Sequence, residues 1–179
     1  GGYDARDAAA GGNGYVPISL QYRPYTAEYA RETSLAGGDP LETFTNRTYR
    51  GKSVQTLNES DLDMILDTRK AMPGKPVVVV LQLERPAVVR EFEAEADAIV
   101  VHFGVQDQAL LDVICGETEP SGLLPLQLPA DMKTVEEQDE DRPHDMACHV
   151  DTEGHAYDFG FGMNWSGVIQ DARTAKYKK

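Results

Sequence analysis

Residues 75–129 read KPVVVVLQLERPAVVREFEAEADAIVVHFGVQDQALLDVICGETEPSGLLPLQLP, and this stretch decides the fold. Two short apolar runs, residues 76–83 and 98–103, flank an amphipathic segment. An apolar run of this length without alternation predicts a strand covered on both faces. Strand, helix and strand within about thirty residues predict a right-handed βαβ unit in a parallel sheet. The small-residue and proline segment 120–129 closes the pattern. The expected class is α/β, with helices layered on a mostly parallel sheet.

The flanking sequence fits that plan. Asn58 opens a helix as a candidate N-cap, with Glu59, Asp61 and Asp63 at the positive end of the dipole. Leu62, Ile65, Leu66 and Arg69 share one face, Met72 closes it, and Pro73-Gly74 stops it. After Arg85-Pro86 a second helix is expected to bury Val88, Val89, Phe92 and Ala96. A third is expected over residues 106–114, with Leu110, Leu111 and Ile114 inward and Gly116 beyond its end. Residues 129–150 read as irregular, and the run EEQDEDRPHD within them as a solvated surface segment. The tail after Gly167 reads as frayed.

Residues 1–57 differ from the α/β part, residues 58–167. They are rich in Gly and Tyr and lack long periodicity, apart from a helix expected around residues 26–31. A loop region of this length in a single domain of residues 1–179 points to function or disorder. Tyr3, Tyr15, Tyr22, Tyr25 and Tyr29 favour order, because large amphipathic rings gain by burial.

With 30 acidic and 17 basic residues the formal net charge is −13. Nucleic acid and anionic membranes, which need a basic face, are excluded as partners. No run is long and apolar enough to span a membrane. Cys115 and Cys148 are the only cysteines, too few for a disulfide framework, and Cys115 reads as a small buried hydrophobe. Three Asn-X-Ser/Thr sequons, at Asn46, Asn58 and Asn164, matter only in a eukaryotic secreted protein.

His144, Cys148 and His149 could share a metal, but no CxxC or HExxH accompanies them, which favours surface histidines beside a packed cysteine. His102, on the second apolar run, is either a ligand or base or a hydrogen-bonded core histidine. There is no Gly-X-Ser-X-Gly elbow, Walker A loop or GxGxxG, so no cofactor is expected. Asp4, Asp7, Glu28, Glu32, Asp39 and Glu42 place carboxylates among the tyrosines of the first fifty residues. Carboxylates beside tyrosines suit sugar recognition and glycoside hydrolysis, but taken alone they read first as a plain solvated loop.

Three blocks, in order, resemble the C-terminal α/β-sandwich domain of family 3 glycoside hydrolases, the β-glucosidase family. KPVVVVLQLERPAVV (75–89) is similar to the family's KPVVVVL-x-x-GRP, with Glu84 where Gly is usual. ALLDVICGETEPSGLLPLQLP (109–129) is similar to IADVLFG-x-x-NPSGRLP, and YDFGFGMNW (157–165) to YPFGYGLSY. The resemblance implies a flavodoxin-like three-layer sandwich with a mostly parallel sheet, incomplete at its N-terminal side. It further implies that this domain lends a loop to a sugar cleft beside an N-terminal TIM barrel, which carries the nucleophilic Asp. In many members that loop holds the acid/base Glu in a Glu-Gly-Tyr/Phe-Asp-Arg pattern. Here Gly2-Tyr3-Asp4 matches, while Gly1 stands at the Glu position and Ala5 at the Arg position, so no acid/base residue carries over. The family's Gly-Glu-Gly-type segment is also changed, to Gly-Val-Gln-Asp-Gln at 104–108.

The expected function is therefore the C-terminal domain of a β-glucosidase-like retaining hydrolase, inactive as this chain alone. Its partners are a carbohydrate substrate and a TIM-barrel domain or chain. Tyr3 and Asp4 are the motif-placed sugar-binding candidates; Glu28, Asp39 and Glu42 are candidates by position in the tyrosine-rich loop. The alternatives are a non-catalytic sugar-binding or subunit-docking module, mildly favoured by Gly1, and a flavodoxin-like cofactor domain, disfavoured by the acidic charge and the missing phosphate loop. The resemblance favours a secreted or periplasmic location.

Overall fold

Among the described residues the strands and helices are, in order, β1 (Gly2–Asp4), β2 (Val16–Ile18), β3 (Tyr25–Thr26), β4 (Ser53–Val54), α1 (Glu59–Ala71), β5 (Val78–Gln82), β6 (Ala98–His102), α2 (Asp107–Ile114), α3 (Met132–Glu137), β7 (Met163–Asn164) and β8 (Gly167–Val168). They are seen in a computed structural model that describes residues 2–4, 16–30, 50–54, 56, 58–139, 142 and 144–177.

The centre is the expected parallel pair. β5 and β6 run in register from Val78↔Ala98 to Gln82↔His102, and the Leu83 N–H extends the ladder to the His102 carbonyl at 2.9 Å. Val77, Val79, Leu81 and Leu83 point into a core with Leu62 and Ile65 of α1, Phe92, Val89 and Leu128. Ile99, Val101, Leu124 and Leu126 complete it. This mixed α/β arrangement is coarser than the expected three-layer sandwich: among the described residues every sheet has two strands, and only β5–β6 is parallel.

Several expectations are corrected. The amphipathic segment between β5 and β6 is two 3-10 turns, Val89–Glu91 and Glu93–Glu95, rather than an α-helix. Phe92 separates them with φ −141°, outside the helical range, while its ring is buried in the core. β5 is covered on one face only: Val79 and Leu81 are buried, but Val78 and Val80 are 40% and 39% exposed. α2 spans the expected residues, yet Leu111 and Ile114 are exposed and Leu110 only half-buried, since nothing described packs on that face. Cys115, at the end of the same helix, is exposed rather than buried. Met72 is exposed too. Asn58 precedes α1 without donating or accepting a side-chain cap bond; its carbonyl takes the Asp61 N–H instead. In place of a helix near 26–31 there is the short strand β3, paired with β4, and Arg31 lies outside the described residues.

The C-terminal segment is a strap, not a frayed tail. Leu124 and Gly160, Leu124 and Phe161, Leu128 and Tyr157, and Leu128 and His149 are joined by backbone hydrogen bonds of 2.7–3.0 Å. The rings of His155, Phe161 and Tyr157 stack in series. Glycine is required at Gly162, where a Cβ would stand 2.2 Å from the Gly122 carbonyl oxygen. At Gly160, φ is +79° and a Cβ would strike the Tyr177 ring. Ile169 and Thr174 are buried, and Arg173 donates to the Ser121 carbonyl at 2.8 Å.

Candidate functional site

In open α/β sheets ligands bind outside the carboxyl ends of the strands. Here that edge is formed by His102, at the end of β6, and by the loop that leaves β5 through Leu83, Glu84 and Arg85 to Val88. β1 and β2 form an antiparallel hairpin with Tyr3 opposite Pro17 and Asp4 opposite Val16. Two residues after β2, the Leu20 carbonyl accepts the Val88 N–H at 2.8 Å. The chain leaving the hairpin that bears Tyr3 and Asp4 is thus tied to the loop that follows the carboxyl end of β5.

His102 itself serves the fold. Its Nδ1 accepts the N–H groups of Gly104 and Val105, at 3.3 and 3.5 Å. Gly104, at φ +88°, makes the tight turn that aims those amides at the ring.

Residues 19–30 of the tyrosine-rich region are held by an element the sequence reading missed. α3 lies where irregular structure was expected. Asp131 caps it, Oδ1 accepting the Thr134 N–H at 2.9 Å. The signal was present as an N-cap aspartate just after Pro129. Met132 at the start of α3 meets the Leu20 N–H through Sδ at 3.4 Å. One turn on, Glu136 accepts the Tyr25 hydroxyl at 2.7 Å and the Tyr29 N–H at 3.2 Å. Glu136 belongs to the acidic run read as solvated, yet it is only 5% exposed. Lys133 Nζ lies 4.7 Å above the Tyr29 ring, an arrangement that favours the cation electrostatically.

Of the proposed site residues, Tyr3 and Asp4 sit on the edge hairpin. Glu28 is exposed on the segment held by Glu136. Asp39 and Glu42 lie outside the described residues, as do Gly1, Ala5, Asp7 and Glu32. The suggested metal group separates: His144 is exposed against the Phe159 ring, Cys148 accepts from the Gln127 amide at 3.2 Å, and His149 is buried with Nε2 3.4 Å from Glu93. Among the described residues no group of three or more His, Cys, Asp or Glu could hold a metal ion.

The electrostatics of the strap favour a neutral phenol at Tyr157, whose pKa is pushed up to about 12 by burial first and then by Asp151 and Glu93. Asp151 is pulled the other way. Burial raises its carboxyl, but the His155 N–H and ring and the Glu153 N–H together hold it below the ordinary range. The resulting Asp151–His155 contact, 3.0 Å to Nδ1, fixes the stacked imidazole in the strap.

The family model for the glycosyl hydrolase family 3 C-terminal domain matches residues 35–165. Among curated proteins, the chain is 36% identical over 105 residues to Probable beta-glucosidase C of Aspergillus flavus, covering 56% of this chain and 16% of that protein. It is 37% identical over 103 residues to Beta-glucosidase C of Emericella nidulans, covering 55% and 16%. To the Periplasmic beta-glucosidase/beta-xylosidase of Dickeya chrysanthemi it is 28% identical over 120 residues, covering 67% and 17%. The chain thus spans about a sixth of the length of these relatives. No solved structure matches it.

Proposed function

From the premise that the chain belongs to the glycosyl hydrolase family 3 C-terminal domain family, we propose that it is the C-terminal domain of a β-glucosidase-like retaining hydrolase. In this reading it supplies one wall of a sugar cleft, and a TIM-barrel domain or chain supplies the nucleophile. The family match over residues 35–165 carries the reading. Two features of the fold support it. The chain leaving the Tyr3–Asp4 hairpin is bonded to the loop that follows the carboxyl end of β5, the side on which a ligand is expected. The uncovered apolar side chains of Val78, Val80, Leu111 and Ile114 suit contact with further polypeptide.

In a retaining mechanism one carboxylate attacks the anomeric carbon and a second group protonates the leaving oxygen; water then hydrolyses the glycosyl-enzyme bond, with the carboxyl groups about 5–5.5 Å apart. Asp4 and Tyr3 are proposed as the sugar contacts because a carboxylate can accept hydrogen bonds from sugar hydroxyls and an aromatic ring can stack on a sugar's C–H face. Glu28, Asp39 and Glu42 are further carboxylates for the same substrate. The location consistent with this role is secreted or periplasmic.

The test is a calorimetric titration of glucose into the purified chain and into the chain joined to the barrel of a family 3 relative. The joined protein is expected to bind at least about tenfold more tightly, roughly 1.4 kcal/mol, with Asp4→Asn removing most of the gain. Equal affinities, or an Asp4→Asn variant that binds like the parent, refute it. Gly1 at the usual acid/base position favours a second reading, a non-catalytic sugar-binding or docking module. That reading predicts the same binding without turnover.

A further inference from the structure

Glu91 closes the first 3-10 turn between β5 and β6, far in sequence from the residues it touches. Its Oε2 accepts the Tyr22 N–H at 2.5 Å and its Oε1 the Arg23 N–H at 3.0 Å, across 69 and 68 residues. A carboxylate that takes two successive amides makes two charge-assisted bonds with one fixed orientation. The amides it takes belong to the link between β2 and β3, which forms no ladder of its own and needs outside partners for its donors.

The rest of the link is gripped around the same point. The Tyr22 ring is buried and meets Phe92, the residue after Glu91, edge-to-face at 5.6 Å. One turn therefore holds both the backbone and the ring of Tyr22. The Thr56 hydroxyl donates to the Tyr22 carbonyl. The Arg23 guanidinium reaches Glu59 at 2.8 Å and Asp63 at 2.5 Å on α1. Apolar contact alone resists removal of the link but not its sliding or rotation, because it is non-directional. The bidentate carboxylate supplies the direction. Between the grip and β2 lie only Ser19 to Gln21, and Leu20 among them is itself tied to Val88 and Met132, so the grip at Tyr22–Arg23 acts on the hairpin together with these two bonds.

We propose that Glu91 is the positioning residue of the Tyr3–Asp4 hairpin: its clamp on two consecutive amides sets the hairpin on the carboxyl edge. The consequence for sugar affinity rests on the cleft reading given above; the clamp itself does not.

Hydrogen exchange on the intact chain tests the clamp. Glu91→Gln keeps the size and one acceptor oxygen but not the charge or the paired geometry. It is expected to speed exchange roughly tenfold at Tyr22, Arg23 and the β1–β2 amides, with β5 and β6 amides unchanged. Glu91→Ala is expected to do so more strongly. Exchange that is unchanged at the hairpin, or that rises equally in β5 and β6, overturns the proposal. Should Glu91→Ala fail to fold, Glu91→Gln decides alone. In the joined protein, the expected kinetic signature of Glu91→Gln is a raised KM for an aryl β-glucoside with kcat nearly kept. A hairpin that loosens while KM and glucose affinity hold steady refutes the cleft reading and leaves the clamp standing. An unchanged hairpin refutes the clamp whatever the sugar does.

Discussion

Replacing Glu136 with alanine tests the packing of the tyrosine-rich segment. The substitution removes two hydrogen bonds, from the Tyr25 hydroxyl at 2.7 Å and the Tyr29 N–H at 3.2 Å. Bonds to a charged acceptor contribute about 1.5–3 kcal/mol each. Both are only partly buried, so water recovers some of the loss, and the lower end applies, about 3 kcal/mol for the two. Relief of the carboxylate's own desolvation offsets part of this. The net expectation is a loss of about 2 kcal/mol, a sizeable share of a stability of about 5–15 kcal/mol. With a urea slope of about 2 kcal/mol per molar, the midpoint should fall by about 1 M. Glu136→Gln, which keeps an acceptor, should fall between. Combined with Tyr25→Phe, Glu136→Ala should show a coupling of about 1 kcal/mol. A midpoint within about 0.2 M of the parent, or strictly additive single variants, refutes the reasoning.

Other consequences are as direct. Gly162→Ala places a Cβ 2.2 Å from the Gly122 carbonyl oxygen, and because backbone cannot yield like a side-chain end, a loss of about 1–3 kcal/mol is expected in urea unfolding. Asp97 is held below the ordinary carboxylate range by the Val77 N–H and then by Arg69. A lowered folded pKa gives stability that is present above about pH 4 and lost as pH falls through the folded value; thermal melts of Asp97→Asn should show a shallower acid limb than the parent. Tyr157 has the opposite sign. Its raised value means stability present below about pH 10 and lost as pH climbs to about 12, so Tyr157→Phe should flatten the alkaline limb over that window.

Much of the framework could be read locally. The runs that became β5 and β6, and the periodicity of α1 and α2, are properties of consecutive residues. What local pattern could not show is which faces are covered. Val78, Val80, Leu111 and Ile114 look as inward as Val79 and Ile65 in sequence, but only contacts with other elements decide, and the described residues cover one side of the pair. The crossover looked helical because Val88, Val89, Phe92 and Ala96 have helical spacing; instead it forms two turns, with Phe92 buried between them and Glu91 reaching Tyr22. The site divides in the same way. Tyr3 and Asp4 are proposed as sugar contacts from a motif alone. Glu91 and Glu136 were not legible, because each acts on backbone or hydroxyl groups at least 68 residues away, and nothing in an acidic run marks the one carboxylate that turns inward.

The most direct measurement is turnover of an aryl β-glucoside by the purified chain, beside the same chain joined to a family 3 barrel. No turnover is expected from the chain alone, because in the proposed reading one carboxylate of the pair comes from the barrel. The joined protein is expected to turn the substrate over with retained β configuration, weakened by Asp4→Asn. Robust hydrolysis by the lone chain, or a folded joined protein that neither binds nor cleaves β-glucosides, contradicts it.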